Sequence, residues 1–169
     1  GRDALTASLV GLREARGDDQ PYLSVLAHSY GSTAALLSLE EHDVWVDALA
    51  IVGSPGSTAR SVDELHVVDG NVWVGAAEWD PIPASGVFGS QPLSPSYGAH
   101  RFSVAPGYDR IAGTRLSGAL SHNDYFADGG MSLRNLALIA IGEGSHVTAA
   151  DRSAGDASQA FARRLHRTI

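Results

Sequence analysis

The sequence predicts an α/β fold in which a mostly parallel sheet lies between two layers of helices. Two observations predict it. Short apolar runs bounded by turn residues, which are typical of buried parallel strands, alternate with segments of helical periodicity. The composition, 44% hydrophobic and 18% charged over 169 residues, suits one globular domain with a core. We therefore expect a single domain over 1–169, of which residues 143–169 form a polar tail.

Local patterns predict the individual elements in chain order. Residues 2–16 carry leucines at helical spacing, which indicates an amphipathic helix. The apolar run 22–27 follows a turn and predicts a buried strand, and helical spacing returns over 32–42. The remaining predictions are a strand and loop at 46–56, a short helix at 58–65, a strand at 71–83 that two prolines break, a loop at 83–100, a strand at 101–106, a helix at 131–142 and a candidate terminal helix at 157–168.

The composition argues against several classes of function. A net charge of −7, without a long run of like charge, argues against nucleic-acid binding, which usually needs a basic face. The chain has no cysteine, which excludes disulfides, thiolate metal sites and a cysteine nucleophile. All 12 basic residues are arginines, which excludes a Schiff-base lysine. No apolar stretch is long enough to span a bilayer.

The stretch Ala27-His28-Ser29-Tyr30-Gly31 lies where a predicted strand gives way to a predicted helix. It has the form of a G-x-S-x-G nucleophile elbow with alanine in the first glycine position. In such a turn the serine is strained and exposed, and small neighbours are needed because backbone segments crowd there. This pattern predicts Ser29 as a nucleophile and the backbone N–H of Tyr30 as an oxyanion donor. The alternative is that Ser29 only caps a helix that begins at Tyr30.

A serine hydroxyl needs a base, and the base needs a carboxylate that orients it. After a serine elbow these partners follow in the order acid, then histidine. Asp80 lies where the apolar strand breaks before Pro81, at the expected carboxyl end of that strand. Glu78 is the competitor, because strand alternation puts it on the same side. The alternative is that Asp80 only begins the turn before Pro81.

The chain has seven histidines, and His122 is the predicted base. Its loop follows the last predicted strand and precedes the last strong helix. His100 is the second choice. It ranks below His122 because it comes too early in the chain, on the entry side of its strand. His28 lies inside the elbow and is expected to point away from Ser29. The alternative for His122 is an ordinary solvated loop histidine.

The sequence predicts no metal and no cofactor. His122 and Asp124 are near each other in the sequence, as are His42 and Asp43, but no H-E-x-x-H or other ligand spacing is present. The stretch 52–57 is rich in glycine and serine, like a phosphate loop. It lacks the G-x-x-x-x-G-K-[ST] pattern, and the chain contains no lysine.

The loop 83–100 is long for a connection, and long loops in compact domains are often functional. Its residues Phe88, Leu93 and Tyr97 are candidates for part of an acyl pocket or lid. The richness in glycine, proline and serine by itself favours an ordinary surface loop.

The segments LAHSYGSTAA, AIVGSPG, VWVGAAEWDPI and SHNDYF together resemble the α/β-hydrolase superfamily. Within it, the chain is most similar to a family of uncharacterised, largely actinobacterial hydrolases, and its elbow is also similar to that of small bacterial lipases. The resemblance covers residues 4–142. It implies that Ser29 is the nucleophile, Asp80 the acid, His122 the base and the N–H of Tyr30 one oxyanion donor.

The sequence departs from the family pattern in two respects. Ala27 replaces a glycine, which is a conservative loss of space. The resemblance also implies several strands before the first helix, so we interpret the chain as the C-terminal portion of the domain. The second oxyanion donor would lie in the preceding part, and an N-terminal segment or a second chain is expected to complete the sheet. The cytoplasm is slightly favoured as the location, but export stays open because we expect the native N-terminus to lie outside this sequence.

The expected function is that of a serine hydrolase acting on a small-molecule acyl substrate. An ester is the preferred substrate, because an alcohol leaves more readily than an amine. A peptidase, an amidase or an acyltransferase would use the same three side chains and is a first alternative. A non-catalytic module that keeps the fold for binding is a second alternative, since a fold does not imply a function.

Overall fold

Apolar runs of four or five residues form the central strands, and helices pack on both faces of the resulting sheet. The computed structural model describes residues 1–150, so the candidate terminal helix at 157–168 lies outside the described residues. The predicted α/β class with a mostly parallel sheet is confirmed. The helices are α1 (Arg2–Arg16), α2 (Tyr30–Glu41) and α3 (Met131–Ala140), and the strands are β1 (Ser24–His28), β2 (Ala48–Val52), β3 (Val72–Gly75), β4 (His100–Arg101), β5 (Gly107–Asp109) and β6 (Thr114–Leu116).

Strands β1 to β4 form one parallel sheet in chain order, and β5 and β6 form a separate antiparallel hairpin. Because the four strands run in the same direction, the segments that follow β1, β2 and β3 meet at one edge of the sheet. Within residues 1–150, β1 is an outer strand of this sheet, and Leu26 near its centre is exposed. Also within these residues, no helix has the length and hydrophobicity needed to span a membrane.

The strand β2 separates two hydrophobic cores. All five of its side chains are buried, as expected for a parallel strand covered on both faces. Leu49 and Ile51 pack in one core with leucines of α1 and α2, whereas Val52 packs in the other core with Leu136 and Ile139 of α3. This alternation with a period of two residues gives the three-layer arrangement.

The strand β3 is much shorter than the predicted strand 71–83, because it ends at Gly75. Its ladder with β2 stops at the pair Val52 and Gly75, and the N–H of Ala77 then donates to the hydroxyl of Tyr125 instead of to a strand. The predicted acid Asp80 therefore lies in a loop beyond the strand. The alternation argument for Glu78 is wrong, since that residue is not in a strand.

Three other predicted elements differ in the structure. The helix predicted at 58–65 is wrong: only Val62–Glu64 form a 3₁₀ turn, because the backbone is extended at Ser61 before it and at Leu65 after it. The strand predicted at 101–106 is limited to β4, because the N–H of Ser103 turns away to donate to the carbonyl of Thr148. The hairpin β5–β6 was not predicted from the sequence.

Candidate active site

The junction between β1 and α2 consists of Ser29 alone. β1 ends at His28 and α2 begins at Tyr30, while Ser29 has φ 54° and ψ −134°. A non-glycine residue with positive φ is strained, and such strain is typical of functional sites. Ser29 stands at the N-cap position of α2, but its side chain makes no capping hydrogen bond, so capping does not account for its hydroxyl.

The side chains of Ser29, His122 and Asp80 are joined by hydrogen bonds. The Ser29 Oγ lies 2.7 Å from Nε2 of His122, and Nδ1 of the same ring lies 2.9 Å from Oδ2 of Asp80. An ionised carboxylate only accepts hydrogen bonds, so Nδ1 carries the ring proton and Nε2 accepts the serine hydroxyl. The Asp80 side chain is fully buried, whereas 27% of the His122 side chain is exposed. The three residues predicted from the sequence thus lie together.

The carboxylate of Asp80 accepts two further hydrogen bonds. Its Oδ1 accepts the N–H of Ile82 at 3.0 Å, and its Oδ2 accepts the hydroxyl of Tyr125 at 2.6 Å. Tyr125 is completely buried, and burial raises the pKa of its hydroxyl. Sequence reasoning missed this contact, although Tyr125 lies in the same short motif as His122.

The His28 ring contacts both the ring and the backbone carbonyl of His122. Its Nε2 is 2.7 Å from the backbone carbonyl of His122, and the two ring centroids are 4.6 Å apart. Since a carbonyl only accepts, Nε2 of His28 donates and therefore carries a proton. The sequence pattern predicts only that this ring points away from Ser29, and it holds no signal for the contact with the His122 loop.

The turn that carries His122 is closed by Asp124. The Oδ2 of Asp124 accepts the N–H of Leu120 at 3.1 Å, and the N–H and hydroxyl of Ser121 at 2.7 and 2.9 Å. The hydroxyl of Ser121, followed by these two N–H groups, holds the pKa of the Asp124 carboxyl below its usual range. The ionised carboxylate therefore fixes the loop from which the His122 ring projects.

Comparison with known proteins assigns the family. A family model described as alpha/beta hydrolase matches residues 1–89, a range that includes Ser29 and Asp80. The chain belongs to the α/β-hydrolase family. The uncharacterized proteins MT2140 and Rv2079 of Mycobacterium tuberculosis are each 29% identical to this α/β hydrolase over 147 residues. The match covers 72% of the chain and 22% of each relative, so the chain spans about a fifth of the length of these relatives. No solved structure matches the chain.

The elbow of this α/β hydrolase is less crowded than the sequence argument assumed. A Cβ on Gly31 would meet no atom within 4 Å among the described residues. The crowding that was expected to require a small residue at this position is therefore not found. Close packing occurs instead at Gly53, where a Cβ would lie 3.0 Å from both His122 and Asp80. The N–H of Tyr30 opens helix α2, where the first N–H groups have no intrahelical acceptor and the helix dipole favours negative charge.

The loop 83–100 of this α/β hydrolase contributes one exposed aromatic ring next to the elbow. Phe88 is 43% exposed and packs edge-on against Tyr30, which is 65% exposed, with ring centroids 5.9 Å apart. Leu93 and Tyr97, the other two candidates for an acyl pocket, are buried. Leu93 lies in the wall of a cavity beside β4 that does not include Ser29, so neither residue adds to the apolar surface beside the elbow.

Other candidate groups lie away from Ser29. His100, the second choice for the base, begins β4 at the opposite edge of the sheet, where its ring packs against Trp73. A cavity of about 140 Å³ beside β4 includes Glu78 and Leu120 in its wall, but neither Ser29 nor its two partners. Within residues 1–150, no three histidine or carboxylate side chains converge as metal ligands would.

Proposed function

We propose that this α/β hydrolase is a serine hydrolase that cleaves a carboxylic ester through Ser29, His122 and Asp80. The observation that carries the proposal is the unbroken series of short contacts from Ser29 Oγ through the His122 ring to the buried Asp80 carboxylate. This order of nucleophile, base and orienting acid is the one that nucleophilic acyl transfer requires.

In the proposed first step, Nε2 of His122 takes the hydroxyl proton while Ser29 Oγ attacks the acyl carbon. The N–H of Tyr30 stabilises the oxyanion, and Asp80 stabilises the imidazolium. The tetrahedral intermediate collapses, the C–O bond to the alcohol breaks, and the leaving oxygen takes the proton from Nε2. In the second step, His122 removes a proton from water, the hydroxide adds to the acyl-enzyme, and Ser29 leaves with the proton.

An ester with an apolar acyl chain fits the surroundings of Ser29. Tyr30 follows the nucleophile directly, and its exposed ring together with that of Phe88 forms an apolar surface beside the elbow. An acyl chain that covered these rings would remove apolar area from water, which is worth about 25 cal/mol per Å². An alcohol also leaves more readily than an amine, which favours an ester over an amide.

A fluorophosphonate probe tests the nucleophile, because it phosphonylates only an activated serine. We expect labelling of the wild type at Ser29, its loss in Ser29→Ala and its weakening in His122→Ala. Ser8→Ala removes an exposed serine hydroxyl of α1 and is the matched control that should label normally. A folded wild type that does not label, and that hydrolyses no ester, would favour the non-catalytic binding module.

A panel of p-nitrophenyl esters of increasing acyl length, set against the corresponding anilides, tests the substrate class. We expect turnover of the esters, with kcat/KM rising beyond the acetyl ester. Phe88→Ala should reduce this rise while leaving the acetyl ester almost unaffected. Turnover of anilides with no turnover of esters would replace the ester by an amide as substrate, and transfer of the acyl group to an added alcohol would indicate an acyltransferase.

A further inference from the structure

The buried carboxylate of Asp80 has a partner that the proposed reaction does not use. The hydroxyl of Tyr125 lies 2.6 Å from Oδ2 of Asp80, the same oxygen that faces Nδ1 of His122. The N–H of Ala77 donates to the Tyr125 oxygen at 2.9 Å. Because that N–H occupies the accepting side of the phenol oxygen, the hydroxyl proton is directed at Asp80. The N–H of Ala77 therefore fixes the direction in which the Tyr125 hydroxyl donates.

We propose that Tyr125 is a positioning residue that holds the Asp80 carboxylate and lowers its basicity towards His122. The effect of Tyr125 on catalysis rests on the proposed function. Its effect on the charge of the Asp80 carboxylate does not. A hydrogen bond to an ionised oxygen stabilises the negative charge there. Tyr125 and His122 share one oxygen of Asp80, so the hydroxyl competes with the imidazolium for the same charge. A hydrogen-bond donor behind a functional side chain changes the orientation and the basicity of that side chain.

The Tyr125 hydroxyl acts as a permanent donor. The ring is completely buried, and burial raises the pKa of its hydroxyl, so the phenol keeps its proton throughout the range in which enzymes are assayed. The other titratable groups that face this pair are His28, whose ring lies 4.6 Å from His122 and 5.6 Å from Tyr125, and Asp124, which closes the adjoining turn. Both belong to the environment that a variant at Tyr125 leaves in place.

The sequence offers a matched pair of variants. Tyr125→Phe removes the hydroxyl that contacts Asp80 and keeps the ring. Tyr97→Phe removes another buried tyrosine hydroxyl, one that makes no hydrogen bond within the described part of the chain. A change seen in the first variant and not in the second therefore belongs to the contact with Asp80 and not to the loss of any buried phenol.

The decisive measurement is the titration of the His122 ring by NMR in a Ser29→Ala background, which needs no activity. We expect Tyr125→Phe to raise the pKa of His122 by about one unit, because Asp80 then interacts more strongly with the imidazolium. Fluorotyrosine at position 125, a stronger donor of the same shape, should move it in the opposite direction. Tyr97→Phe should leave it unchanged.

The pH profile of an active wild type gives the second readout. Tyr125→Phe should shift the acid limb of kcat/KM to higher pH by the same amount, whereas a merely structural role would lower kcat and the melting temperature without moving that limb. A His122 pKa that neither Tyr125→Phe nor the fluorotyrosine substitution changes in the Ser29→Ala background would overturn the inference. If the wild type hydrolyses nothing but the NMR shift is present, only the proposed function fails.

Discussion

A methyl group on Gly53 would lie 3.0 Å from Nδ1 of His122, and equally close to Oδ2 of Asp80. Gly53 follows β2 directly and has φ +58°, a conformation that disfavours any side chain. The backbone at this position therefore passes directly against the contact between the proposed acid and base. This close approach makes Gly53 part of the site, although glycine supplies no functional group.

We predict that Gly53→Ala lowers kcat/KM by about 10²-fold, because a displacement of reacting groups by about 1 Å can cost that much. Gly17→Ala is the matched control. Gly17 also has positive φ, 56°, but a Cβ there would meet no described atom within 4 Å. Both variants place a Cβ on a residue with positive φ, and urea unfolding measures the loss of stability that this causes. Only Gly53→Ala should lose ester hydrolysis. Equal activity of the two variants would contradict the role of the close approach.

The strain at Ser29 predicts a gain in stability when the side chain is removed entirely. Ser29→Gly should be more stable than Ser29→Ala by about 1 kcal/mol, because alanine keeps the Cβ at positive φ and glycine does not. Both variants lose the hydroxyl, so the comparison isolates the backbone. Urea unfolding at neutral pH gives the difference. Two variants of equal stability would indicate that the φ of Ser29 carries no cost.

Removal of the Asp124 carboxylate, which closes the turn before His122, should lower activity although the three proposed catalytic side chains stay in place. Asp124→Ala frees the two N–H groups and the hydroxyl that its carboxylate accepts. We expect kcat to fall about tenfold, since His122 is then less well oriented. Asp124→Asn keeps one accepting oxygen and should lose less. Asp128→Ala removes an exposed carboxyl of the same loop and should behave as the wild type.

The contact between Asp109 and Arg134 predicts a pH dependence of stability. Arg134 Nε lies 3.1 Å from Asp109, and this hydrogen bond, followed by the N–H groups of Ala112 and Ile111, holds the pKa of the carboxyl below its usual range. The ordinary value is about 3.9, so the ionised form contributes stability above about pH 4 and loses it as the pH falls through the lowered pKa.

Urea midpoints of the wild type and Asp109→Asn should therefore differ most near neutral pH, with the wild type more stable. The difference should shrink as the pH falls below about 4, because the wild-type carboxyl then becomes protonated. Asp18→Asn, at an exposed turn position, should follow the wild type throughout. A difference that stays constant from neutral pH to the lowest pH tested would show that ionisation of Asp109 is not its cause.

The parts of the structure that depend on local pattern were predictable. The apolar segment of β2 predicted a strand, and the A-x-S-x-G pattern around Ser29 predicted a sharp turn between a strand and a helix. The order Ser29, Asp80 and His122, together with their positions after predicted strands and the resemblance to α/β hydrolases, nominated three side chains that hydrogen-bond in space. Apart from the resemblance, these predictions use local pattern, the order of the three residues and the rule that parallel strands share an edge.

The parts that depend on distant contacts were not predictable. β3 ends at Gly75, which lies close against the Phe102 ring, and the next bonded N–H, that of Ala77, donates to Tyr125 instead of to a strand. Neither partner is near β3 in the sequence. The contact of His28 with the His122 carbonyl also joins residues that are far apart along the chain. The unpredicted hairpin β5–β6 does have a local signal, a glycine with positive φ at Gly113 in the turn between its strands.

The connection between β3 and β4 is anchored at several points, one of which is the backbone of the exposed residue Phe88. Near its start the N–H of Ile82 donates to Asp80, and further on the N–H groups of Phe88 and Ser90 donate to the carbonyls of Pro55 and Ser57. The ring of Phe88 projects from this held stretch of backbone. Substitutions confined to the side chains of residues 83–89 would alter the surface beside Ser29 while the bond from Ile82 to Asp80 stays in place. In the proposed hydrolase, the choice of acyl group could therefore change through this segment while the three proposed catalytic side chains stay the same.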